Sequence, residues 1–415
     1  MVTRQDFIQE FKDRGYYYQC TDEEALAGKL KSPGEVGAYI GFDCTATSLH
    51  VGSLMQIMTL RLFQKYGIKP IVLIGGGTTK IGDPTGKDKA RKVLDDAAIA
   101  ENIEGIKKSL SKFISFGSGA SDAVLLNNDD WLSDIKYLDF LRDIGKHFSV
   151  NRMLSFESVK LRLEREQNMS FLEFNYMILQ GYDFLHLNKH HNCFVQCGGS
   201  DQWGNIINGV ELTRRVEGKE AFGLTTPLIT TSSGEKMGKT EGGAVWLNED
   251  MLSPYEYYQY WRNVEDDDVI RFMKFFTDLS VPEIDMLAKE NTNINDLKKK
   301  LAFEVTKMCH GESAAAEAEQ TAISVFEKGE ITGVEEFEIS EKELDGNLFL
   351  YQLYAKSGLA ESNGAAKRLI KGGGAKLNKE KISDENYVVT KDDFGNNTLI
   401  ISSGKKKHMK IILKD

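Results

Sequence analysis

Two short stretches carry residues able to handle a phosphate. SLHVGS, Ser48 to Ser53, lies between the apolar run AYIGFD and the helical pattern SLMQIMTLRLFQKYG. A helix N-terminus presents unpaired N–H groups and a partial positive charge, so an anion can approach where no side chain intervenes. Gly52 gives that clearance, and His50 can donate a hydrogen bond to the same anion without a permanent charge. Taken alone, a histidine near a helix start is more often packed or at the surface. The second stretch, GEKMGKTEGG from Gly234 to Gly243, places Lys236 and Lys239 on a glycine-rich loop. That suits a lid that brings charge to a phosphate once substrate is bound, although a solvated lysine pair would look the same.

A third set lies in SFLEFNYMILQGYDFLHL, where apolar residues cover most of a helix and imply burial. Tyr176, Gln180 and Asp183 nevertheless fall four and three apart, on one face. A buried polar stripe needs partners, supplied either by its own members or by a ligand. Rival chemistries fit poorly. A nucleotide P-loop would need glycine at Ser233, and GGGTTKIGDPTGK has Lys80 where a dinucleotide fingerprint has its third glycine. HHNCFVQC imitates a metal site, yet on a strand Cys193 and Cys197 would stand about 13 Å apart, too far to share one ion.

The elements that must position these residues follow from periodicity. From about residue 35 to 230, strand-like runs (AYIGFD, KPIVLIGG, AVLLNN, CFVQCGG) alternate with helical patterns, which predicts an α/β fold with a mostly parallel sheet. Each run is followed by Gly, Asp or Asn, so polar groups collect at the carboxyl ends of the strands, where such sheets bind ligands. From Ser253 to Lys328 strands vanish. The Ser253–Pro254 pair opens a helical region, as a cap followed by proline should. The acid-rich stretch Glu330 to Asp345 reads as a linker. In the tail a helix, a turn at Gly358, a second helix capped near Ser362 and then strands are expected, with Lys367, Arg368 and Lys371 on neighbouring helix positions.

The 415 residues are 41% hydrophobic and 27% charged, enough for two or three domains with proper cores. No apolar run approaches a membrane span, and Asp6, Glu10 and Asp13 disfavour an N-terminal targeting peptide, so the expected compartment is the cytoplasm. Five scattered cysteines do not make a disulfide framework. The net charge of -10 is uneven, because Gly346 to Asp415 holds 13 Lys and Arg against 7 Asp and Glu. A basic tail on an acidic body suggests a polyanionic partner.

SLHVGS in the first crossover and KMGKT after the last sheet strand, in that order, resemble the two signatures of class I aminoacyl-tRNA synthetases. YIGFDCTATSLHVGS, GDPTGK, LRDIGKHFSVN, FNYMILQGYDF, GGSDQWGN and KMGKTEGGAVWL are similar to phrases of the bacterial-type tyrosyl-tRNA synthetase family. The resemblance runs through essentially the whole chain, and the tail resembles an RNA-binding module shared with a small-subunit ribosomal protein. It implies a Rossmann-like catalytic domain (1–246), an α-helical anticodon-side domain (247–330), the acidic linker (331–345) and a small α+β RNA-binding domain (346–415), assembled as a homodimer. The implied reaction joins L-tyrosine to the α-phosphorus of ATP, taken as Mg-ATP, and then to the terminal ribose of tRNA(Tyr). No protein-bound metal or organic cofactor is expected, and no membrane partner.

By that resemblance His50 and Gly52 meet the phosphates and adenosine, with Asp43, Thr45, Ser53 and Asp201 completing the ATP site. Lys236, Lys239 and Thr240 close over the pyrophosphate, and Lys87 and Arg91 assist the same transition state. Tyr176 and Gln180 match positions that hold the substrate amino group with Asp83. Asp183 and Tyr39 match the pair that recognises the phenol hydroxyl, and Gln202 a further tyrosine contact. Lys367, Arg368 and Lys371 would contact tRNA phosphates. Two positions depart from the family pattern: Ser53 replaces the second histidine of HxGH, and Cys44 stands where proline is frequent. Gly238, in place of the serine of KMSKS, is expected to loosen the loop. A non-catalytic RNA-binding relative has Ser53 as its only support, and a tryptophanyl enzyme should lack the Tyr39–Asp183 pair.

Overall fold

The computed structural model describes residues 3–80, 94–234, 237–240, 243–290, 293–324, 336–378, 380–395, 397–404 and 407–414. The chain forms two compact units, Met1–Ala316 and Glu317–Asp415. In the first, the four expected runs are strands: β2 Gly37–Phe42, β3 Lys69–Ile74, β4 Val124–Asn127 and β5 Cys193–Gly199. Two more were not read from the sequence, β1 Gln19–Cys20 and β6 Phe222–Thr226. The first is two residues long, and FGLTT carries no alternation because all five of its residues are buried. The sheet order is β1-β6-β5-β2-β3-β4, parallel throughout except for β1 against β6.

This order fixes where a ligand can sit. The chain runs outward from β2 through β3 to β4, then returns to the other side of β2 with β5 and continues to β6. The connections leaving β2 and β5 therefore diverge, opening a crevice outside their carboxyl ends. Asp43 follows β2 and Asp201 follows β5, so both acids flank it. Helix Leu54–Lys65 fills the first crossover and buries Leu54, Met55, Ile57, Met58, Leu60, Leu62 and Phe63. Helix Phe171–His191 begins at a reciprocal Ser170/Glu173 capping box and ends at Asn192 in the left-handed region.

The helical region is packed into the same unit. Helix Pro254–Arg262 starts as expected, with Ser253 accepting from the Glu256 amide and proline in the first turn. Tyr257, Tyr258, Trp261, Phe272, Met273 and Phe276 are buried. Arg14, 5% exposed, donates to the carbonyls of Lys274, Thr277 and Leu279, fastening the N-terminal segment to this helical core.

In the second unit a five-stranded sheet has the order β11-β10-β12-β13-β9. Its strands are β9 Glu336–Ser340, β10 Ala375–Leu377, β11 Glu380–Lys381, β12 Thr398–Ser403 and β13 Lys407–Lys414. Helices Leu350–Lys356 and Asn363–Lys371 occupy the expected places, with Gly358 at φ +78° between them and Ser362 capping the second through the Ala365 amide. Leu350, Leu353, Tyr354, Ala366, Ile370, Leu399, Ile401 and Ile411 form the core.

The linker reading of 331–345 is corrected over residues 336–345; residues 331–335 lie outside the described residues. Glu336–Ser340 pairs in parallel with β13, and Glu341–Asp345 is a short helix. Ile339 enters the core and Phe337 packs against it. The intervening acids meet tail lysines, Glu336 with Lys410 at 2.8 Å and Glu338 with Lys414 at 2.5 Å. Glu341 and Glu343 likewise pair with Lys391 and Lys356. Acid-rich composition alone reads as a linker, whereas these carboxylates pair with lysines elsewhere in the same unit.

Candidate active site

SLHVGS leaves the sheet edge as a turn and becomes a helix. Val51–Ser53 is a single 3-10 turn that runs into helix Leu54–Lys65, and His50 caps it. The Gly52 amide donates to His50 Nδ1 at 3.0 Å. A neutral ring accepting at Nδ1 carries its proton on Nε2, so the tautomer is the one that can donate through Nε2. The clearance expected at Gly52 is thus taken by the chain's own histidine: a Cβ on Gly52 would stand 2.6 Å from His50 Cε1 and 3.1 Å from the Met237 carbonyl oxygen.

The two signature stretches touch. Val51 N–H donates to Val245 O and Leu247 N–H to Leu49 O, both at 2.9 Å, so SLHVGS is bridged to the segment following KMGKT. Gly238 sits at φ +91°, and a Cβ there would lie 2.6 Å from the Gly52 nitrogen. A side chain at 238 would therefore meet close packing in a conformation that L residues rarely adopt, a constraint on glycine here that the sequence did not reveal. The backbone of β7, Lys239–Thr240, pairs with β8, Gly243–Ala244. Asp83, Lys87, Arg91 and Lys236 lie outside the described residues.

Behind this edge is the polar stripe of helix Phe171–His191. Asp183 is 2% exposed, with Oδ2 accepting from Asn128 Nδ2 at 3.0 Å and Oδ1 from Trp131 Nε1 at 2.8 Å. Burial pushes its carboxyl pKa up to about 7 against the pull of those two donors. Tyr39, on β2, is equally buried, its ring 5.4 Å from that of Phe184. Burial and then the Asp183 charge hold its phenol well above the ordinary range, so it is a neutral hydroxyl. Tyr39 Oη, Gln180 Oε1 and Gln196 Oε1 are buried with no hydrogen-bond partner among the described residues. Orphaned polar atoms of this kind indicate a polar ligand or water that would complete them.

Tyr176 is buried one turn before Gln180. Gln202 and Asp201 lie on the Ser200–Gln202 turn at the end of β5, where Gln202 Oε1 accepts from Asn205 Nδ2 at 3.0 Å. Thr45 is exposed on the loop after β2, Asp43 and Ser53 are half-buried, and Cys44 is buried, its amide donating to Thr79 Oγ1 at 3.0 Å. Proline at 44 would lack that N–H. In the second unit Lys367 Nζ lies 4.4 Å from the centre of the Tyr351 ring, with Arg368 and Lys371 on the same helix.

Asn128, Trp131 and Gln196 were missed as site residues. Asn128 and Trp131 belong to NNDDW, at the polar carboxyl end of β4, so edge position was the available signal. Gln196 sits mid-strand in register with Tyr39, a pairing only the sheet order reveals.

A parallel sheet with a switch-point crevice and a histidine-capped turn bridged by backbone hydrogen bonds to the segment after KMGKT are the parts of a nucleotide-activating ligase. Residues 31–327 match the family described as tRNA synthetases class I (W and Y), and the chain belongs to that family. Residues 326–411 match the tyrosine–tRNA ligase SYY-like C-terminal domain. The chain is 57% identical over 408 residues to the tyrosine–tRNA ligase of Rickettsia felis, covering 97% of this chain and 98% of that one. It is 55% identical over 415 residues to the tyrosine–tRNA ligase of the Wolbachia of Brugia malayi, covering all of both. Among solved structures, a C-terminally truncated mitochondrial tyrosyl-tRNA synthetase of Aspergillus nidulans aligns with a TM-score of 0.69 at 31% identity, over 77% of this chain and 94% of that one.

Proposed function

We infer that the chain is a tyrosine–tRNA ligase, which activates L-tyrosine with Mg-ATP to tyrosyl-adenylate and pyrophosphate and then transfers tyrosine to the 3'-terminal ribose of tRNA(Tyr). The observation that carries this reading is the buried Tyr39–Asp183 pair, a neutral hydroxyl with no partner among the described residues and a carboxylate that has two donors fixed on it. Such a pair suits a ligand hydroxyl that both donates and accepts. Phenylalanine would leave the Tyr39 hydroxyl unsatisfied and bring no phenol donor to Asp183, which is how a site without editing discriminates strongly; the tyrosyl enzyme is a standing example of that discrimination, so its size is not predicted.

The attacking tyrosine carboxylate is already an anion, so the protein supplies alignment and donors rather than a nucleophile. His50, through Nε2–H, meets the phosphates, and Gly52, having no side chain, makes room for the His50 ring that presents this donor. Lys87, Arg91, Lys236, Lys239 and Thr240 neutralise charge growing on the α-phosphate and the departing pyrophosphate. Removing one such donor costs about 3 to 4 kcal/mol of the barrier, a factor of about 100 to 1000 in rate. Asp83, Tyr176 and Gln180 hold the ammonium group, Gln202 a further part of tyrosine, and Asp43, Thr45, Ser53 and Asp201 the nucleoside and phosphates. Lys367, Arg368 and Lys371 hold tRNA phosphates.

The working form is a cytoplasmic homodimer. Tyr137, Leu138, Val150, Leu163, Phe171 and Leu172 are all at least half exposed, an apolar set consistent with a second copy covering it. Amino-acid-dependent ATP–pyrophosphate exchange with tyrosine, phenylalanine and tryptophan, on the wild type and Asp183→Ala, tests the reading. Exchange with tyrosine alone, lost in the variant, is expected; no exchange from folded protein would overturn it in favour of a non-catalytic RNA-binding relative.

A further inference from the structure

Asp183 is not held in place by the pocket alone. Trp131, whose Nε1–H is one of its two donors, is itself partly exposed and sits in the four-residue helix Asp129–Leu132. The indole packs against the cluster of Tyr39, Leu73 and Phe184, and His186 stacks on its face: the rings are 4.2 Å apart between centroids and 13° from parallel. His186 follows Asp183 by three residues, so both side chains leave the same face of helix Phe171–His191 one turn apart. The helix thus grips the indole twice, by its N–H edge at Asp183 and by its face at His186. His190, one turn further, backs the imidazole with centroids 4.6 Å apart. Burial, then the neighbouring His190, His191 and Lys189, hold the His186 pKa down to about 4, so the ring in the stack is neutral near pH 7.

We propose that His186 is a positioning residue for recognition of the tyrosine hydroxyl, acting through the stacked Trp131 on Asp183. This rests on Asp183 being the hydroxyl acceptor. Without the imidazole, the indole keeps its packing against the Tyr39–Phe184 cluster but loses the stacked support of one face, and the Nε1–H is less firmly aimed at the carboxylate. Asp183 then relies more on Asn128 against its burial, and a carboxyl that takes up a proton no longer accepts from a phenol at that oxygen. The phenol contact is made equally in the ground and transition states, so its loss enters KM and spares kcat.

The test is ATP–pyrophosphate exchange with tyrosine varied, on the full-length wild type and on His186→Ala, His186→Leu, His186→Phe and Asp183→Asn. An aromatic pair contributes enough that tyrosine KM should rise about 2- to 12-fold in His186→Ala and His186→Leu with kcat unchanged. His186→Phe, which restores a stacked ring without a titratable group, should stay within about twofold of wild type on the same scale. The inhibition constant of phenylalanine, which has no hydroxyl to lose, should not move in any His186 variant. Unchanged tyrosine KM in His186→Ala and His186→Leu, with a raised KM in Asp183→Asn, would overturn the role of His186 and leave that of Asp183. An unchanged KM in Asp183→Asn would overturn both. A fall in kcat at constant KM, or His186→Phe behaving as His186→Leu, would show bulk packing rather than stacking and would also overturn the proposal.

Discussion

One carboxylate should give this protein two opposite pH dependences. Asp183 has a native pKa of about 7, raised by burial, against 3.8 for the free side chain. Because the native state binds the proton more tightly, Asp183 contributes stability that is fully present below about pH 4 and lost as pH rises through 7. At about 1.4 kcal/mol per unit, the contribution falls by roughly 2 to 3 kcal/mol between pH 5 and pH 8. Tyrosine recognition runs the other way. If only the ionised carboxylate accepts the phenol O–H, tyrosine affinity rises about tenfold per unit up to pH 6 and levels off above 7. Urea unfolding of the wild type and Asp183→Asn at pH 5 and pH 8 isolates the first effect, since every other titrating group is common to both. Tyrosine binding at equilibrium in the same buffers reports the second, and the variant should lack both slopes. A stability difference between the two proteins that stays constant from pH 5 to pH 8 would refute the assignment of the raised pKa to this buried group.

Three further outcomes follow from other contacts. Gly238→Ala places a Cβ 2.6 Å from the Gly52 nitrogen at φ +91°; strain of about 1 to 3 kcal/mol should lower the exchange kcat at least about fivefold, with tyrosine KM unmoved. Ile339→Ala, at a position 2% exposed in β9, should destabilise the C-terminal unit by about 2 to 5 kcal/mol in thermal or urea unfolding, whereas a linker residue would cost nothing measurable. Replacing Lys367, Arg368 and Lys371 together by alanine should flatten the salt dependence of tRNA binding by about 2 to 3 in log–log slope while tyrosine-dependent exchange continues.

The sequence alone determined whatever repeats within a few residues. Four strands, the Ser253–Pro254 helix start, the Gly358 turn and the Ser362 cap were legible because local periodicity and capping chemistry are written in neighbouring positions. The stripe Tyr176, Gln180 and Asp183 was legible for the same reason, since helical spacing alone brings its members together. Tertiary structure decided what depends on residues far apart in the chain. β9 became a strand because β13, some seventy residues later, offers it a parallel ladder and lysines for its glutamates. Gly238 is glycine because Gly52 lies against it, and Asp183 has a raised pKa because the folded interior buries it, against the opposing pull of its donors Asn128 and Trp131. Burial and through-space charge have no sequence period, so the side chains that poise this carboxylate emerge only once the sheet order has brought β4 and the helix together.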